Sequence, residues 1–234
     1  MSKLAVLNDL FTTYQQLNYH QNPQLFERLR DVQNWQKKRI IRTHAPQFQQ
    51  KQNQLMADYF MNRLYGGPDF DALAAQIQRL LPKIHKAEKL IPENAIKTGT
   101  AGIQLALLAV QLDEDVAAQL LKDYPKDTVL TDEIMRVTYL KLNQGEQRLE
   151  QLRQLDQLGL SLDKYLRSFV VHTAFKMCKS TAYKHNFDVM YDFMQDGFAA
   201  MKPLKSAEQF VRDFTAQERQ IIAKVHAGHP EPFA

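Results

Sequence analysis

The chain has 234 residues, 44% of them hydrophobic and 24% charged, enough for a core of its own and far from the composition of a disordered chain. Its single cysteine, Cys178, excludes an intrachain disulfide and any zinc site built on paired thiolates. The net charge of +4 is a mild excess, and no apolar run approaches the roughly 20 residues that cross a bilayer.

Apolar positions recur with helix period throughout. Leu4, Leu7, Phe11, Tyr14 and Leu17 outline a first helix, and His20-Gln21-Asn22-Pro23 stops it. The apolar start, Leu4 to Leu7, is broken by Asn8 and Asp9 and is too short for a signal-peptide core. A second helix starts at Gln24, carries Leu25, Leu29, Val32, Trp35 and Gln36 on one face, and ends before Pro46. A third runs through Phe48, Leu55, Met56, Tyr59, Phe60 and Leu64 to a Gly66-Gly67-Pro68 turn. The short connection through Pro46 predicts that these two helices are antiparallel neighbours, with Trp35 buried.

Asp69 or Asp71 caps the next helix, which Pro82 kinks and Pro92 ends. The segment from Ala95 to Leu112 is the most apolar and is expected to be central, with Gly99 and Gly102 admitting close neighbours. Asp113-Glu114-Asp115 reads as the start of a separate short helix ending at Tyr124-Pro125. Thr131 caps another, followed by a leucine-rich helix that Gly159 is expected to stop and a new one introduced by Ser161. Cys178, beside Phe175 and Met177, is expected to be a buried, inert thiol. A helix through Phe187, Met190, Tyr191, Met194, Phe198 and Met201 ends before Pro203. Ser206 with Gln209 forms a capping box for the last. The fold predicted is all-α, a single-domain multi-helix bundle or orthogonal helical array of about ten helices without a β-sheet. Its domain spans 1–227, and 228–234 form a loose C-terminal tail.

Charge is unevenly spread. The segments 24–44 and 161–185 are basic, and the stretch from Asp113 to Glu133 is acidic. Glu-x-x-His, which a di-iron bundle needs twice, is absent, as are phosphate-loop and nucleophile-elbow patterns. No metal or cofactor is expected. Two sets of polar residues stand out. Trp35, Arg39, Arg42 and His44, with Tyr65 beyond them, form a candidate binding set: Arg39, four residues from Trp35, can cover the indole, and Arg42 and His44 sit near a helix C-terminus. They read either as a receiver for an anion or acidic partner, or as a core tryptophan with an exposed Arg39 along its edge. The second set is His185, Asp188, Tyr191 and Asp192, which either share a proton or form a surface pair beside a core tyrosine.

The segment Trp35-Gln36-x-x-Arg39-x-x-x-Thr43-His44, followed by Tyr59-Phe60-Met61-Asn62-Arg63-Leu64-Tyr65-Gly66-Gly67-Pro68-Asp69-Phe70, resembles a family of uncharacterised bacterial proteins labelled by the motif FFLEELY. Gly197-Phe198-Ala199-Ala200 and the stretch from Phe210 to Arg219 are similar to that family's C-terminal part. The two motif glutamates correspond to Asn62 and Arg63, so the resemblance brings no carboxylate chemistry to this chain. It implies a bacterial origin and a shared fold unit.

These readings point to a cytoplasmic, non-enzymatic accessory or regulatory factor that binds another macromolecule, foremost a protein. Two alternatives stay open: nucleic-acid binding through the basic helices of 24–44 and 161–185, and an enzyme or small-ligand carrier with a pocket between helices.

Overall fold

A computed structural model describes residues 5–66, 70–87, 93–166 and 168–234. All their regular structure is helical, in one compact domain, and no strand occurs among them. Helix α1 spans Ala5–Gln15 and leads through a 3₁₀ turn, Asn18–His20, into α2, Pro23–Thr43. Then follow α3 (Ala45–Phe48) and α4 (Gln54–Tyr59), the latter running on as a π-helical turn, Phe60–Leu64. Next come α5 (Phe70–Ala87), α6 (Glu93–Asp123), α7 (Asp132–Leu142) and α8 (Gly145–Leu166). The chain finishes with α9 (Phe169–Met177), α10 (Lys179–Lys184), α11 (Asp188–Met201) and α12 (Ala207–His226).

Local chemistry sets many of these boundaries. Asn22 accepts from the Leu25 amide, with Pro23 in the first turn of α2. Thr131, Ser168 and Ser206 cap α7, α9 and α12 in the same way. Asn143, at φ +50°, closes α7 in the left-handed conformation.

Two predicted breaks do not occur. Asp113-Glu114-Asp115 lies inside α6, a continuous helix of 31 residues, because Leu112, Val116, Ala117 and Leu120 continue its apolar face into the core. Glycine cannot stop α8 at Gly159, since its packing surface continues: a Cβ there would lie 2.9 Å from Val211 of α12. Close approach therefore occurs at Gly159, and at Gly197 beside Tyr59, while a Cβ at Gly99 or Gly102 would meet nothing within 4 Å among the described residues. The deeply buried part of α6 begins at Leu107, within the C-terminal third of the stretch expected, and continues beyond it to Leu120.

The main core joins Leu29, Val32 and Trp35 of α2 to Val116 and Leu120 of α6, Met135 and Tyr139 of α7, and Ile221 and Val225 of α12. A second cluster joins Ile40, Phe48, Met56 and Tyr59 to Ala200, Phe210 and Phe214. Here the expected α2–α4 pairing is corrected. Helix α4 packs chiefly on α11, where the Tyr59 hydroxyl donates to the Phe193 carbonyl at 2.9 Å. The chain just past the π-helical turn lies beside α2, with Lys37 Nζ donating to the Gly66 carbonyl at 3.1 Å, and Ile40 of α2 shares the second cluster with Met56 and Tyr59; Gly67 and Pro68 lie outside the described residues.

Two further expectations are overturned. Residues 228–234 are not a loose tail throughout, because Phe233 is 3% exposed and its ring meets Trp35 edge-on at 5.2 Å. Cys178 is exposed, at the short joint between α9 and α10, where it ends one helix and begins the next.

Candidate functional site

The residues singled out in the sequence separate into an interior network and a surface groove. Trp35 and Arg39 share α2, yet they part company. Arg39 is buried, donating through Nε and Nη2 to Gln36 Oε1 at 3.2 and 2.8 Å and through Nη1 to Glu218 of α12. It does not lie exposed along the indole edge, because the buried Glu218 carboxylate draws it inward. His44 has no exposed surface and its Nε2 lies 2.8 Å from the same Glu218 oxygen. Its ring stacks on Phe214 at 4.3 Å. Burial alone would raise the Glu218 pKa; the Arg39 guanidinium and the hydrogen bonds from His44 and Arg39 outweigh it and hold the carboxyl down at about 2. An ionised Glu218 makes Nε2 the protonated nitrogen of His44, leaving Nδ1 buried without a partner.

Tyr65, partly buried, pairs with a buried carboxylate. The π-helical turn, closed by the Tyr65 amide on the Phe60 carbonyl at 2.9 Å, inserts one residue and brings the phenol to Asp113 of α6. The Tyr65 hydroxyl donates to Asp113 Oδ2 at 2.6 Å. Burial pushes the Asp113 carboxyl up to about 6, against the pull of Arg148, the Tyr65 hydrogen bond and Arg39. Burial and the adjoining Asp113 raise the Tyr65 phenol well above its ordinary value. The Arg148 guanidinium sits 4.5 Å over the Tyr139 ring, and neither Arg148 Nη2 nor the Tyr139 hydroxyl has a hydrogen-bond partner among the described residues. This set, buried at Arg39, His44, Asp113 and Glu218 and partly buried at Tyr65 and Arg148, ties α2, α6, α8 and α12 together, and it lines neither of the two depressions described next.

The larger depression, of about 760 Å³, runs between α2 and the loop joining α6 to α7. Trp35 and Leu121 border it, along with Arg30 and Lys38 of α2 and Lys126 and Val129 of the loop. Three carboxylates, Glu27, Asp31 and Asp127, share the lining. Arg28 fixes the loop: its guanidinium donates to the carbonyls of Thr128 at 2.9 Å, Pro125 at 3.1 Å and Lys126. The smaller depression, about 250 Å³, is bordered by Arg42, Thr43, Gln217, Lys224 and Phe233. Arg42 is exposed there and ion-pairs with Asp132.

The second predicted set is only partly gathered. Asp192 accepts from the Tyr183 hydroxyl at 2.6 Å, and Tyr191 is buried with its ring stacked on Phe175 at 4.3 Å. Asp188 opens α11. His185 is exposed and its imidazole makes no hydrogen bond among the described residues.

Sequence reasoning missed Glu218, Asp113, Arg148 and the groove loop. A signal existed for two of them. Glu218 falls on the face of Phe214, Ile221 and Val225, and Asp113 on that of Val110, Val116 and Ala117; a carboxylate on an apolar stripe needs an interior partner. Comparisons with curated proteins and with solved structures give no match. The family model described as "Domain of unknown function (DUF8198)" matches residues 16–232, nearly the whole chain, and the protein belongs to that family.

Proposed function

We propose that the protein is a non-enzymatic binding factor that holds a partner protein in the groove between α2 and the α6–α7 loop. The observation that carries this reading is the groove itself, about 760 Å³ in volume and open along α2. Its lining carries both signs of charge beside an aromatic side chain. Lys38, Lys126, Glu27 and Asp127 have no side-chain partner among the described residues, so they are available to a bound chain.

A phosphate backbone suits this lining poorly, because three carboxylates would face it. Four of the six cations of α2 are also engaged within the molecule: Arg28 with carbonyls, Lys37 with Gly66, Arg39 with Glu218 and Arg42 with Asp132. In this reading the protein is bacterial, as the likeness to the FFLEELY-motif family implies, works in the cytoplasm and needs no cofactor. Among the described residues no helix is long and apolar enough to cross a membrane.

Selection of displayed linear peptides on the wild-type chain and on a Lys38→Glu/Lys126→Glu/Val129→Asp variant tests the reading. Peptides enriched on the wild type and lost on the variant support it; binders indifferent to the three changes would reject it. Trp35, the single tryptophan, supplies a fluorescence report from the groove.

A further inference from the structure

We infer that the groove takes its partner as an extended peptide that pairs through its main chain with Val129 and Leu130 and sets an acidic side chain between Lys38 and Lys126. This rests on the groove being the partner site.

Between the end of α6 at Asp123 and the start of α7 at Asp132, the loop satisfies its backbone at both ends. The Thr128 amide donates to the Pro125 carbonyl at 3.0 Å, and Thr131 caps α7 through its hydroxyl. In between, the amides and carbonyls of Val129 and Leu130 make no hydrogen bond among the described residues. Their side chains alternate as a strand's do. Val129 is 80% exposed, Leu130 packs against the main core, and Thr131 is exposed with φ −106° and ψ 164°. The edge is also held in place, because Arg28 grips the three carbonyls just before it.

A rigid extended edge with unpaired main-chain groups, lining a groove, is the arrangement to which an extended peptide adds a strand. A bound helix has its own backbone satisfied and would leave Val129 and Leu130 unpaired. Charge selects the side chain. Arg28 is offset by Asp31 at 3.4 Å, which leaves Arg30, Lys38 and Lys126 against Glu27 and Asp127 and favours a carboxylate in the ligand.

The test uses the full chain and a groove-dependent peptide from the display selection, with binding followed through Trp35 fluorescence and calorimetry. N-methylating the peptide at each position in turn removes one amide donor without touching the protein. Successive residues of an extended segment turn their N–H and C=O to opposite edges, so methylation at the one peptide position facing Val129 or Leu130 is expected to weaken binding about tenfold, and its immediate neighbours to be indifferent. Changing the peptide's acidic residue to its amide should weaken binding to the wild type and have little further effect on Lys38→Ala/Lys126→Ala. Binding unaffected by methylation at every position, or retained by a stapled helical version, would overturn the extended mode and leave the groove reading intact. A library without groove-dependent binders would overturn both. Binding of a single-stranded oligonucleotide that falls steeply with salt and is lost in the lysine variant would replace the peptide with a nucleic acid.

Discussion

Arg39 of α2 and Glu218 of α12, 179 positions apart in the chain, form an ion pair in the interior, with His44 on the same carboxylate oxygen. Removing one partner leaves the other charge buried and unmatched. Arg39→Ala and Glu218→Gln are therefore each expected to cost about 3–5 kcal/mol, and Arg39→Met/Glu218→Leu together less than either. Urea unfolding of the three variants decides; losses that simply add would show that the two side chains do not act as a pair.

Asp113 and Glu218 give opposite pH dependences. The Asp113 carboxyl is raised from 3.8 to about 6 by burial, so its contribution is fully present below pH 3.8 and is lost as pH rises to 6. The difference amounts to about 3 kcal/mol. Asp113→Asn keeps an acceptor for the Tyr65 hydroxyl, and should remove this decline and stabilise the protein at pH 7–8. Glu218, held down at about 2, contributes above pH 4.5 and loses its contribution as pH falls towards 2. Denaturation midpoints of wild type and Asp113→Asn from pH 3 to 8 test the signs, and parallel curves between pH 4 and 6 would contradict the assignment to Asp113.

Four glycines in helix interiors, among the described residues, divide into two pairs. At Gly99 and Gly102 of α6 an added methyl meets nothing within 4 Å, so alanine should stabilise by about 0.5–1 kcal/mol at each. At Gly159 the methyl would lie 2.9 Å from Val211 Cβ, and at Gly197 2.9 Å from the Tyr59 hydroxyl oxygen. Alanine at either should destabilise by about 1–3 kcal/mol. Thermal melts of the four single variants provide the comparison.

Trp35 and Phe233 cover one another in the main core. Trp35→Ala and Phe233→Ala are each expected to cost about 3–5 kcal/mol. Deleting residues 228–234 should also shift Trp35 emission to longer wavelength. An unchanged spectrum would mean that the returning segment does not cover the indole.

Cys178 should react with an aromatic disulfide reagent in the native protein at the rate of an exposed thiol, without denaturant. Reaction only after unfolding would show that the joint between α9 and α10 shields it.

The sequence by itself determined the all-α class and many of the helix boundaries. Period-3.6 apolar stripes and caps such as Asn22, Thr131 and Ser206 act within a few residues, so they can be read locally. Trp35 could be placed inside for the same reason. What only the tertiary structure decided is which charges enter the core and which face water. Arg28 finds its carbonyls about 100 positions away, at 97, 98 and 100 residues' distance, and Asp113 meets Tyr65 across 48. Gly99 and Gly159 look alike in a helical pattern, yet only the second faces another helix at contact distance. The groove depends on α2 and a loop of the α6–α7 connection being brought side by side. A burial cost depends on neighbours that long-range packing supplies, and no local pattern carries that information.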